Sequence, residues 1–94
     1  KYFIFVVGIQ SDKNITIMLK TVGPLISKII FTKSKHEKAS KPQYLLKIFN
    51  KINNLIKTKV ISNPKKALSY AKEIADKNDL VVVTGSIYLV GEVI

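Results

Sequence analysis

Lys13 and Ser86 are the residues of this sequence whose types and surroundings best suit contact with a small acidic ligand. Lys13 follows Asp12 in the glycine-led stretch "GIQSDKN". An ammonium at such a turn pairs a carboxylate or phosphate, a contact worth roughly 1.5–3 kcal/mol once water is shielded from it. Ser86 closes the stretch Thr84-Gly85-Ser86, where an apolar run gives way to Ile87-Tyr88-Leu89-Val90. A helix starting there would offer free N–H groups beside two hydroxyls, again suited to an anion. Each stretch also has a purely structural reading. Ser86 serves as a helix cap after a permissive glycine, and Asp12 caps a helix beside one more exposed lysine. His36 stands alone in "KSKHEKASK", without a second metal ligand or a catalytic partner nearby, and is expected to be solvated. There is no glycine-rich phosphate loop, no paired carboxylate constellation and no metal-ligand cluster. The tyrosines do not alternate with basic residues as a base-stacking platform would. On residue types alone the chain holds no complete active site.

These stretches need elements to hold them. Tyr2 to Val7 is a continuous aromatic and β-branched run ending at Gly8, and predicts an interior strand. Ile15, Met18, Leu19 and Val22 recur at helical spacing and predict a short helix, capped by Asp12 or Asn14 and stopped by Gly23-Pro24. A strand is expected from Lys28 to Thr32. Pro42 then opens a helix whose apolar stripe runs through Leu45, Leu46, Ile48, Phe49, Ile52, Leu55 and Ile56. "TKVI" reads as a short strand. Asn63-Pro64 starts a further helix with Ala67, Leu68, Ala71, Ile74 and Ala75 buried, up to Asn78-Asp79. Leu80 to Thr84 is apolar enough to predict a central strand covered on both faces. Strands and helices therefore alternate, which predicts an α/β fold of Rossmann-like outline, with a mostly parallel sheet and helices on both faces. In open sheets of this kind ligands collect outside the carboxyl ends of the strands. "GIQSDKN" and "TGS" are both expected at that rim.

Composition narrows the classes. A 94-residue chain with 47% hydrophobic content forms one small globular domain. No apolar run approaches the roughly 18 residues of a membrane span, which predicts a soluble domain with no membrane partner. Zero cysteines exclude disulfides, thiolate metal sites and a cysteine nucleophile, and fit a reducing, cytoplasmic setting. The net charge is +10, from 16 basic against 6 acidic residues, and every basic residue is lysine. Specific nucleic-acid readers lean on the planar arginine fork, so no specific nucleic-acid partner is expected. The alternative kept open is a lysine-rich α/β module that binds RNA or another polyanion. The amino end starts without methionine, within a strand, and carries no signal-peptide pattern.

Taken together, "FVVGIQSDKNITIMLKTVGPLISKIIFTKS" and "DLVVVTGSIYLVGEVI" resemble the carboxyl-terminal domain of the folylpolyglutamate and dihydrofolate synthases, in the Mur ligase superfamily. The similarity is sharpest at Asp12-Lys13, at Gly23-Pro24-Leu25, and from Gly85-Ser86 through Tyr88-Leu89-Val90-Gly91-Glu92, in matching order and spacing. The resemblance implies an ATP-dependent ligase in which a folate carboxylate is phosphorylated and the amine of glutamate attacks the acyl phosphate. It implies that ATP and Mg2+ are held mainly by a larger amino-terminal ATPase domain, with this domain closing over the site as a lid. By position, Lys13 and Ser86 would contact the incoming glutamate, with Asp12, Gly85 and Thr84 ordering the loops around them. The family's domain normally opens with one more strand and helix bearing an Asp-Gly-Ala-His-Asn-Pro motif. Residues 1–94 begin after it, so they are expected to form a partial domain that is inactive by itself and prone to expose a sheet edge.

Overall fold

The structure, a computed structural model, describes residues 3–84. Four strands and three helices alternate: β1 (Phe3–Val7), α1 (Ile15–Val22), β2 (Lys28–Phe31), α2 (Pro42–Ile52), β3 (Lys57–Val60), α3 (Pro64–Ile74) and β4 (Leu80–Thr84). A single 3-10 turn, Gly23–Leu25, follows α1. The strands form one sheet in the order β3-β2-β1-β4, and every pairing is parallel. The α/β class, the parallel sheet and the helices on both faces agree with the sequence reading.

Alternation along β1 shows why both faces are covered. Phe5 and Val7, with Ile29 and Phe31 of β2, pack against Leu19 of α1 and Leu45 and Phe49 of α2. Ile4, Val6 and Ile30 point the other way and meet Ala67 and Ala71 of α3. Phe31 and Phe49 meet edge to face, their ring centroids 5.8 Å apart. The chain steps from β1 through β2 to β3 with its helices on one face. It then returns past β1 to β4 with α3 on the other face. Crossovers of one handedness require that change of face when the direction of travel reverses.

Several element ends differ from expectation, each for a local reason. The helix α2 stops at Ile52, because Asn53 is extended and its Oδ1 accepts from the Leu55 N–H at 2.9 Å. That side chain competes with the helix for backbone donors. Leu55, expected on the buried stripe, is consequently 90% exposed. Likewise α3 ends at Ile74, short of Asn78-Asp79, and Asp79 closes a turn by accepting from the Asp76 N–H at 2.9 Å. At the start of α1 the cap is Asn14, whose Oδ1 accepts from the Ile17 N–H at 3.1 Å. The largest correction concerns β4. Among the described residues it lies at the sheet edge, with Leu80 47% exposed and Val81 to Thr84 half-buried, where a central strand was expected.

Candidate functional site

The rim at the carboxyl ends of the strands is sewn together by backbone bonds that continue the sheet past its last residues. Gly8 N–H donates to the Thr84 carbonyl at 3.3 Å, Thr32 N–H to Val7 at 2.9 Å, and Ile61 N–H to Phe31 at 3.0 Å. Val7 and Thr84 are register partners, so the loop 8–14 and the tip of β4 leave adjacent strands at the same end. Between β1 and β4 the direction of winding reverses. That is the topological switch point, where open α/β sheets leave a crevice.

Each element's contribution follows from its sequence. Loop 8–14 is held in a tight turn by Lys13 N–H donating to the Gln10 carbonyl at 3.2 Å, and α1 starts at once behind it. Asp12 and Lys13 are both exposed at the tip of this loop. No hydrogen bond among the described residues uses either side chain, which leaves both turned to solvent at the rim. Thr84 is half-buried, and it lines a small apolar cavity of about 30 Å³ with Val7, Ile9 and Leu19. Gly85 and Ser86, with the helix expected after them, lie outside the described residues.

One part of the rim was missed in the sequence. The loop after β2 folds back over loop 8–14 through an antiparallel bridge between Gln10 and Ala39. Ser11 N–H donates to the Lys38 carbonyl at 2.7 Å, and Ser40 N–H to the Ile9 carbonyl at 2.9 Å. His36, expected to be solvated, is instead half-buried and part of this junction. Its Nδ1 accepts from Gln10 Nε2 at 3.2 Å and from the Lys38 backbone N–H at 3.2 Å. A backbone N–H can only donate, so Nδ1 is the acceptor and the ring proton sits on Nε2. The rule that placed "GIQSDKN" and "TGS" at the rim applies equally to the residues after β2. The signal was available in the strand order but not in the residue types.

Lys33, Lys35, His36 and Glu37 from the β2 loop, with Ser62 and Asn63 ahead of α3, line a basin of about 540 Å³ at this end. With Lys13 and Lys38 close in sequence to the bridge, cations outnumber carboxylates around the rim, which suits an anionic ligand. Among the described residues no three His, Cys, Asp or Glu side chains converge into a group that could hold a metal ion. No helix of the described residues is long and apolar enough to cross a membrane.

Comparison with known families decides the lineage. The family model for the dihydrofolate synthetase C-terminal domain matches residues 1–94. The chain belongs to this family. The fold of the dihydrofolate synthetase C-terminal domain recurs in solved enzymes. Escherichia coli FolC in complex with DHPP and ADP is 20% identical with a TM-score of 0.88, over 99% of this chain and 21% of that one. The bifunctional folylpolyglutamate synthase/dihydrofolate synthase of Yersinia pestis, complexed with AMPPNP and Mn ion, is 23% identical (TM-score 0.82, 98% of this chain, 21% of that one). Thermotoga maritima folylpolyglutamate synthase is 27% identical with a TM-score of 0.79, covering 99% of this chain and 20% of its own. The dihydrofolate synthetase domain thus spans about a fifth of the length of each of these proteins. Among curated proteins none matches this sequence.

Proposed function

We propose that this domain is the lid and amino-acid-binding wall of an ATP-dependent ligase that adds L-glutamate to a folate carboxylate. The reading rests on the family, on the ADP, AMPPNP and DHPP complexes of its structural relatives, and on one geometric observation. That observation is the in-register pairing of β1 with β4, which puts the Lys13 loop and Thr84 at one end of the sheet. In this proposal Lys13 and Ser86 serve a single crevice.

In this proposal the Lys13 ammonium holds a carboxylate of the incoming glutamate, and Ser86 supplies a second polar contact. Asp12 supports the loop that carries Lys13. ATP supplies the phosphoryl group that activates the folate carboxylate as an acyl phosphate, releasing ADP. The glutamate amine then attacks the acyl carbon, expelling inorganic phosphate and losing a proton to form the amide. In this reading Mg2+ and most phosphate contacts belong to the amino-terminal ATPase domain of the same enzyme. The work of this domain is to orient the amine and to exclude water from a hydrolysable intermediate. Residues 1–94 alone are proposed to be inactive, and the enzyme to work in the cytoplasm.

The test is Lys13→Ala in the full-length enzyme. The expected outcome is a glutamate KM raised at least several-fold, with the KM values for ATP and folate little changed. An unaltered glutamate KM removes Lys13 from the site.

A further inference from the structure

Far from the rim, at the amino ends of β2 and β3, the sheet edge carries a second feature. Side chains alternate along β3: Val60 packs toward α1 and α2, while Lys57 and Lys59 fall on the α3 face. On that face an open groove of about 430 Å³ runs between the edge strand and α3, lined by Lys28, Lys57, Lys59, Tyr70 and Ile74. Lys59 Nζ lies 4.8 Å from the centroid of the Tyr70 ring, within reach of a cation–π contact across the groove. Lys28 and Lys57 are register partners on adjacent parallel strands, two like charges held side by side. Like charges placed side by side on one face repel each other. Among the described residues no carboxylate forms an ion pair with Lys28, Lys57 or Lys59. Beyond β3 no further strand pairs with it among the described residues, which leaves every second backbone N–H and C=O on that edge unused.

We propose that the β3 edge is a docking site for an acidic, extended peptide segment of a partner protein, which adds to the sheet as a further strand. Backbone pairing with β3 gives such a segment its register, and its carboxylates fall opposite Lys57 and Lys59 and relieve the Lys28–Lys57 repulsion. The apolar floor of Ile74 and the Tyr70 ring accommodates the aliphatic stems between the charges. A second copy of this chain does not fit the site, because pairing two β3 edges brings two more lysines onto the same face. The groove is independent of the ligase reading, since it opens at the end of the strands opposite the Lys13 loop.

The experiment uses a short synthetic peptide alternating glutamate with valine, with amide hydrogen exchange on Lys57–Val60 as the structural readout. Binding is expected to slow exchange in β3 and to weaken as salt is raised. It should fall about tenfold in the Lys57→Gln/Lys59→Gln double variant, as the loss of two exposed ion pairs implies. A peptide N-methylated on its pairing amides should lose the protection while keeping its charge. Both lysines are exposed, so the variant should keep the parent's unfolding transition. If it does not, the exchange protection in the parent protein decides. The proposal is overturned by unchanged exchange in β3, or by equal binding of the lysine–valine counterpart. It also fails if an RNA oligonucleotide binds through the same lysines more tightly than the peptide, or if protection arises from self-association.

Discussion

Gly23 has no left-handed backbone to defend. Its φ and ψ are −49° and −46°, ordinary helical values, and its N–H donates to the Leu19 carbonyl. The helix tightens here because Pro24 has no N–H to continue the ladder. A Cβ added at Gly23 would meet Phe49 Cε1 at 4.0 Å, an ordinary van der Waals contact. The space is open, but Pro24 follows, and its ring disfavours the helical region for a residue bearing a Cβ, so Gly23→Ala should destabilise by about 1 kcal/mol, measured by urea unfolding. Ser40 presents a contrasting case. Its hydroxyl is buried with no hydrogen-bond partner among the described residues. Ser40→Ala removes a desolvated polar atom without opening a cavity of note, and is expected to leave stability equal or higher in the same assay. Phe49 is the opposite extreme: fully buried and stacked edge-on against Phe31, it should cost about 3–5 kcal/mol when cut to alanine.

At the scale of elements, caps and edges set the boundaries more than hydrophobic periodicity does. Asn63 Oδ1 accepts from the Lys66 N–H at 3.0 Å and starts α3 directly after the rim. Asn63→Ala should lower the unfolding free energy by about 1 kcal/mol, with the loss of exchange protection confined to the first turn of α3. Element types were largely legible in the sequence: the order of strands and helices, the interior place of β1 and the two-sided core all follow from residue pattern. Boundaries were less so. The apolar stripe continued through Leu55, but the Asn53 side chain captured a backbone donor and ended the helix, a competition that periodicity does not register. For β4 the run of valines predicted two-sided burial. Such a run reports what a strand can tolerate, while its place in the sheet is fixed by where the chain returns after α3.

For the molecule as a whole, stability should be graded across the sheet. β1 and β2 are paired on both sides and almost wholly buried, whereas β3 and β4 are edges among the described residues. Native-state exchange should accordingly be slowest in Ile4–Val7 and Ile29–Phe31, with β3 and β4 opening at lower free energy. Equal protection in all four strands would contradict that gradient. The candidate site was legible in part. Lys13 and the tip of β4 were placed at one rim by strand order, but the contribution of the loop after β2 depends on contacts between residues about 30 apart in the chain, which spacing alone does not reveal.

The bridge between Gln10 and Ala39 has a consequence for how the rim behaves. It fastens the Lys13 loop to a neighbour of unrelated sequence, so neither segment can change shape without dragging the other. Adding or deleting a residue between Lys33 and Lys41 would then be felt at Lys13 as an altered grip on ligand. Natural variation in the length of that surface stretch would tune the pocket from outside it.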